Sequence, residues 1–403
     1  MNDLRLFLPC AACVEDLLRA EVLRIVGSQS AAAQNMHAAR GGVQLLASWR
    51  DAMVLNLHSR LAQRVLVELQ HQPYRHEQDI YDAASSVAWE VWFTTRQTFK
   101  IEITAQHSPL KSLNFAALKV KDAIADRFRH KSGERPSVET RWPDARVYVH
   151  LTTETATLYI DTSGEPLFKR GWREDKGDAP LKETLAAAVI EASGWGDSAR
   201  AALAGGAPPL PLYDPCCGSG TIAIEAAQIA ANIAPGSRRR FGFEKLLPFQ
   251  AHVWSAIKNE AASREKTLAP GEKPLIFGSD VAHRMVDFAV RNAQRAGVAG
   301  RIEFRGGDAL QRMPPVEAGL MLVNPPYGER IETGGVAAQD DFFTQLAAHW
   351  KKNYAGWTGW ILSPDLKLPS RMRLKESRRM PMWNGPIECR LFRFDMVRGS
   401  ARS

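Results

Sequence analysis

Cysteine is scarce in this chain: five residues (Cys10, Cys13, Cys216, Cys217 and Cys389) among 403. So thin a supply cannot frame a fold of this length with disulfides, which excludes the cysteine-dense secreted scaffolds and suits a reducing compartment. Long apolar runs are lacking too, since no uninterrupted stretch approaches the roughly 20 residues that a membrane span needs. The run Leu6 to Val14 is short for a secretory core, and Asp3 cancels Arg5 ahead of it. Metal-ligand spacing is also missing, because Cys10-x-x-Cys13 has no second ligand pair. A soluble, cytoplasmic protein with neither membrane nor metal among its partners is expected.

What is present points toward nucleic acid. At 45% hydrophobic residues the chain can bury sizeable cores, and its length favours two or three domains. The net charge is +8 and the pI about 9.3. Residues 1–165 hold 19 Lys+Arg against 19 Asp+Glu, so the whole excess falls in residues 166–403, with 33 against 25. An anionic partner therefore has to be sought among the motifs.

The first part alternates helical and extended patterns. It has an amphipathic stretch Val14 to Val26, a strand-like Gly42 to Ala47, and extended runs at Arg64 to Leu69, Thr98 to Thr104, Arg146 to Leu151 and Ala156 to Asp161. This is an α+β pattern. Between Lys111 and Lys131 the apolar residues Leu113, Ala117, Leu118, Ile124 and Phe128 recur at helical spacing. The opposite face is basic, with Lys111, Lys119, Lys121, Arg127, Arg129 and Lys131. After a connector at Ser163 to Pro180 the rhythm changes to apolar strands alternating with longer helices, the α/β pattern. Strands are expected at Leu210 to Asp214, Leu275 to Asp280, Ile302 to Arg305, Gly319 to Asn324 and Gly359 to Ser363. A final run, Glu388 to Val397, reads as an edge strand after the Asn384-Gly385 turn.

Two motifs carry chemistry. The first α/β strand ends in Asp214-Pro215-Cys216-Cys217-Gly218-Ser219-Gly220-Thr221 and runs into a helix, so its glycines can lie flat against a ligand beyond the carboxyl end of the strand. It lacks the third glycine of a dinucleotide fingerprint, and the next strand-end acid, Asp280, follows 66 residues on instead of about 20. Asp280 and Asp308 at later strand ends can accept bonds from a ribose diol and an adenine amine, which suits a nucleoside cofactor without phosphate. The fourth strand ends in Asn324-Pro325-Pro326-Tyr327-Gly328-Glu329-Arg330. A planar NH2 group needs acceptors in its own plane and a flat surface beneath its ring. The Asn324 side-chain oxygen and the Pro325 carbonyl supply the first, Tyr327 the second, and the prolines fix the backbone.

With Lys182-Glu183-Thr184-Leu185-Ala186-Ala187-Ala188 and the connector Phe168-Lys169-Arg170-Gly171-Trp172-Arg173, these motifs resemble the THUMP-bearing N2-guanine RNA methyltransferases. The similarity is closest to the amino-terminal methyltransferase unit of the RlmL type acting on 23S ribosomal RNA, and it runs over nearly the whole chain. One departure is Cys216, where the family more often has Met or Phe. The resemblance implies a ferredoxin-like lead-in plus THUMP RNA-binding region over 1–160, with THUMP at about 45–160. A linker at 161–180 and a Rossmann-like class I methyltransferase domain at 181–403 would follow. The cofactor would be S-adenosyl-L-methionine, held by Asp214, Cys217, Gly218, Gly220, Thr184, Asp280 and Asp308. The target base would meet Asn324, Pro325, Pro326 and Tyr327. RNA would contact Lys111, Lys119, Lys121, Arg127, Arg129, Arg170 and Arg173. The chain ends near Ser403, so a second methylation by this polypeptide is not expected.

The implied activity is direct methyl transfer to the N2 amine of a guanine in 23S rRNA, by a monomer, before or early in subunit assembly. Adenine-N6 methylation of RNA or DNA uses a similar Asn-Pro-Pro-Tyr element and stays open, as does a non-catalytic RNA-binding protein. The sharp reading of Cys216 and Cys217 as nucleophiles for C5 methylation lacks a cysteine beside the target base.

Overall fold

The computed structural model describes residues 4–177, 180–326 and 335–397. The chain forms two compact units. The first is built from the segments up to Cys10, Leu18–Leu167 and Arg239–Asn259; the second from Ala11–Leu17, Phe168–Arg238 and the chain from Glu260 onward.

The first unit holds strands β1 (Leu4–Pro9), β2 (His37–Ala39), β3 (Gly42–Ala47), β4 (Leu66–Pro73), β5 (Phe99–Ala105), β6 (Ala145–Leu151) and β7 (Thr155–Asp161). They form one sheet in the order β2-β3-β1-β4-β7-β6-β5. The apolar run from Leu6 supplies β1, which pairs with β3 on one side and β4 on the other. Leu6 and Leu8 are buried while Arg5 is exposed, the two-residue alternation of a strand with one packed face. The basic stretch is a helix, Leu113–Ser132, capped by the Ser112 hydroxyl, which accepts the Phe115 N–H, and closed by Gly133 at φ +75°. Its buried face is Ala116, Val120, Ala123, Ile124, Ala125 and Phe128. The expected packing of Leu118 is corrected: Leu118 is 49% exposed, because it lies on the side of the helix turned away from Ala116 and Val120.

A segment far along the chain, Arg239–Asn259, completes this unit, which the sequence pattern did not reveal. The Phe243 N–H donates to Thr162 O at 2.8 Å and the Leu247 N–H to Trp92 O at 2.9 Å. The Arg239 guanidinium donates to the carbonyls of Ser163, Glu165 and Pro166. Backbone meets backbone where Gly164 and Gly242 pass: a Cβ on Gly242 would lie 2.8 Å from Gly164 N. Gly164 also has φ +76°, so only glycine fits there without strain.

The second unit holds β8 (Leu212–Asp214), β9 (Ile276–Asp280), β10 (Ile302–Gly306), β11 (Leu320–Val323), β12 (Thr358–Ser363), β13 (Arg378–Asn384) and β14 (Ile387–Asp395). Their order is β10-β9-β8-β11-β12-β14-β13, parallel from β10 to β12 and antiparallel beyond. The α+β first region and this Rossmann-like sheet match the expected fold class. The edge assignment does not hold, because β14 lies between β12 and β13. The strand at this end of the sheet is β13, for which the sequence pattern gave no strand. Arg378, Arg379 and Pro381 are what an unpaired edge tolerates. A two-residue loop joins the hairpin, with Gly385 at φ +64° as its first central residue. One core of this unit gathers Tyr213, Met321, Phe343, Trp350, Tyr354, Trp357 and Phe392.

Candidate functional site

The strand order reverses between β8 and β11, and a parallel sheet opens a crevice beyond the carboxyl ends of its strands at such a point. Every acid singled out in the sequence lies at this end: Asp214 closes β8, Asp280 closes β9, and Asp308 follows β10. Asn324 directly follows β11. Thr184 sits buried in the first turn of the helix Glu183–Ala192.

The loop after β8 is fixed by its neighbours. The Cys217 N–H donates to Ser279 O at 2.9 Å, and the Gly220 N–H to Cys217 O at 2.8 Å. The Asp280 carboxylate accepts the Gly218 N–H on one oxygen and the Ala282 N–H on the other, each at 2.9 Å. Each oxygen keeps a second lone pair for a hydroxyl. The two loop glycines serve different ends. A Cβ on Gly218 (φ +53°) would meet only the Met285 methyl, at 3.9 Å, so this face of the loop is open. A Cβ on Gly220 (φ +86°) would lie 3.0 Å from Ala289 Cβ and 3.1 Å from the Phe304 ring, so Gly220 is required by helix packing.

The electrostatics favour a cation. Burial, with the Asp280 charge adding to it, pushes the Asp214 carboxyl up to about 8 even though it accepts the Cys216 N–H. Burial raises the Cys216 thiol, and Asp214, Asp280 and Asp308 all push it further in the same direction, so the three carboxylates converge on this loop. Cys217 is raised likewise. Both thiols therefore stay protonated and packed, Cys216 against the aromatic core and Cys217 under Gly218.

Asn324 Oδ1 is buried and has no hydrogen-bond partner among the described residues. Leaving a buried acceptor unmet costs about 1–3 kcal/mol, so such an atom marks a place where a donor belongs. The next residue, Pro325, is buried. Tyr327, and with it Gly328, Glu329 and Arg330, lies outside the described residues.

The basic residues divide. Arg170 and Arg173 are corrections to the expected RNA-binding set. The Arg170 side chain is 1% exposed and paired with buried Glu225, out of reach of any phosphate. Arg173 is turned inward: Nε donates to Glu183 at 2.7 Å, Nη1 to Ser219 Oγ at 2.6 Å and Nη2 to Thr221 Oγ1 at 2.7 Å. Arg127 is held by Glu90 through two 2.7 Å bonds. On the same helix Lys121 pairs with Asp122 and Arg129 with Asp126 at the surface, and Lys119 lies over Tyr81 and Phe115; Lys111, ahead of the helix cap, is exposed. Sequence reasoning missed Asn292, which is fully buried and donates to Ser219 O. The signal was there: Met285, Ala289, Asn292 and Ala296 recur at helical spacing, so an amide interrupts an otherwise apolar stripe. Among the described residues no cluster could hold a metal ion, and no helix is long and apolar enough to cross a membrane.

Comparison with known proteins adds family matches to this geometry. A family model described as RMKL-like, methyltransferase domain matches residues 170–393. A THUMP domain model matches 74–161, and an RlmL ferredoxin-like domain model matches 5–66. A ribosomal RNA large subunit methyltransferase K/L from Psychromonas ingrahamii is 38% identical over 386 residues, which is 95% of this chain and 49% of that protein. The chain spans about half the length of the curated relatives it matches. Among solved structures, SMU.472 complexed with SAH is 26% identical with a TM-score of 0.84, covering 99% of this chain and 100% of the other. A predicted N6-adenine-specific DNA methylase from Listeria monocytogenes is 27% identical with a TM-score of 0.82, covering 97% and 96%.

Proposed function

The chain belongs to the RMKL-like methyltransferase family, and from that premise we propose that it moves a methyl group from S-adenosylmethionine to the exocyclic N2 amine of a guanine in 23S ribosomal RNA. The observation that carries this reading is the buried Asn324 Oδ1, without a hydrogen-bond partner among the described residues, at the carboxyl end of β11, beside a loop ringed by three acidic side chains. The residues present fit the cofactor. A sulfonium suits the acidic loop, Asp280 retains lone pairs for a ribose diol, Asp308 stands at the next strand end for the adenine amine, and the open face of Gly218 admits a ligand against the backbone.

Bound there, S-adenosylmethionine supplies an electrophilic methyl on a cationic sulfur. The chain's own residues position the nucleophile. Asn324 Oδ1 and the Pro325 carbonyl accept the amine hydrogens, which favours a pyramidal nitrogen whose lone pair is freed from the ring. Transfer would form the nitrogen–carbon bond as the sulfur–carbon bond breaks, leaving S-adenosylhomocysteine, and the amine, made acidic, would pass one proton to solvent water, so no strong general base is needed. Tyr327 would stack on a base flipped from its helix, a step costing a few kcal/mol. The THUMP region would hold the RNA. The protein would act as a monomer in the cytoplasm, before or early in subunit assembly.

Adenine N6 is the second reading, favoured by the Listeria neighbour's name and by the ability of the same acceptors to hold either amine. Single-turnover transfer from labelled cofactor to protein-free 23S RNA, followed by nucleoside digestion, decides between them. N2-methylguanosine is expected. N6-methyladenosine would overturn the base assignment, and binding of RNA without any binding of S-adenosylmethionine would leave only an RNA-binding protein.

A further inference from the structure

The connector Gly171–Gly177 does more than link segments. Asp175 accepts two bonds from Arg291, at 2.9 and 3.0 Å, and one from Arg295 at 2.5 Å. Its backbone carbonyl accepts the Asn292 amide at 2.8 Å, and the same Asn292 nitrogen donates to Ser219 O at 3.1 Å. Asn292 Oδ1 accepts from Arg295 at 2.9 Å and faces the N–H groups of Glu174 and Asp175 at 3.4 Å. Two residues earlier Arg173 grips Ser219 and Thr221 from the other side. Ser219, between the two loop glycines, is thus tied through its hydroxyl to the strap itself and through its carbonyl to Asn292, the helix residue that holds the strap.

The helix that receives the strap, His283–Ala296, also sets the rest of the loop. The residue before it, Ala282, donates to Asp280, Met285 lies against Gly177 and beneath Gly218, and Ala289 fills the space under Gly220. We infer that Asp175 and Asn292 are positioning residues for the cofactor loop: with Arg173 they hold Ser219 so that Gly218 presents its open face and its N–H reaches Asp280. This rests on the proposed use of that loop for S-adenosylmethionine. Without the strap Gly218 and Gly220 are free to visit other conformations, and part of the binding energy would be spent ordering them.

Asp175→Asn tests this, because it removes the charge that fixes the strap while preserving shape at a position away from the core. Titration calorimetry of the full chain with S-adenosylmethionine should show the dissociation constant rising roughly tenfold. Asp175→Glu should recover part of the loss, and RNA affinity should stay at the wild-type value. Arg200→Ala is the control: it removes one ion-pair partner of Glu191 and of Asp197 elsewhere in the second unit, should lower the melting temperature, and should leave cofactor affinity unchanged. A wild-type dissociation constant in Asp175→Asn overturns the positioning role alone. So does an Arg200→Ala shift as large as that of Asp175→Asn, because the effect would then be general destabilisation. If the wild-type chain binds no S-adenosylmethionine, the cofactor reading and this role fall together.

Discussion

In the second unit's sheet the pairs β10–β9, β9–β8, β8–β11 and β11–β12 are all parallel, whereas in the first unit's sheet β5–β6 is the parallel pair and the other named pairs run antiparallel. Parallel strands all finish at the same end. Residues as far apart in sequence as Asp214 and Asn324 therefore arrive at one end of the sheet. Antiparallel strands finish alternately at opposite ends, so no such focus arises, and the candidate RNA-binding residues of the first unit lie instead along one helix, Leu113–Ser132, with Lys111 just ahead of its cap. The difference teaches where a single substitution should matter. The parallel end concentrates chemistry in few atoms, while the helix spreads electrostatics over many.

The sharpest way to break that contrast is at Asn324. Asn324→Ala should bind S-adenosylmethionine normally while the single-turnover rate drops on the order of a hundredfold, as expected when one preorganised transition-state interaction is removed. Near-normal transfer would sink the mechanism. Asp280→Ala comes next: it deletes both the loop tie at Gly218 and the proposed diol acceptor, and cofactor affinity should fall at least about tenfold. An unchanged dissociation constant in a folded variant rejects that role. The helix should behave otherwise. Replacing Lys111, Lys119, Lys121 and Arg129 together by Gln should weaken RNA binding evenly and flatten its salt dependence by about one unit of slope for each phosphate that is no longer neutralised. If affinity and slope stay as they were, this face is merely solvated. The smallest effect is expected at Leu118→Ser, within about 0.5 kcal/mol of wild-type stability by urea denaturation, because Leu118 is half exposed. A large loss there would mean that the apolar stripe runs as its sequence spacing first suggested.

The same contrast explains how much was legible. Strand ends in the second unit could be read within a residue or two, since apolar runs broken by Asp, Gly and Asn mark the carboxyl ends of buried parallel strands. The site's acids and Asn324 followed from them. Charge misled where partners are remote in sequence: nothing near Arg170 announces Glu225, and nothing near Arg127 announces Glu90. The strand β1 was obscured because Phe7, on its less buried face, is apolar too and blurs the alternation. The strand β13 was masked by its arginines. Asn292 was readable only by asking why an amide sits in an apolar helical stripe.

The return of Arg239–Asn259 to the first unit carries a consequence for how the chain is made. A nascent polypeptide leaves the ribosome at about 5–20 residues per second. The sheet of the first unit ends its strands by Asp161, but the carbonyls of Ser163, Glu165 and Pro166 must wait for Arg239, roughly ninety residues separate Leu167 from Asn259, and that interval takes on the order of 5–20 s to synthesise. During that time Gly164 has no Gly242 to pack against, so the first unit stays incomplete on the ribosome until part of the second has already emerged.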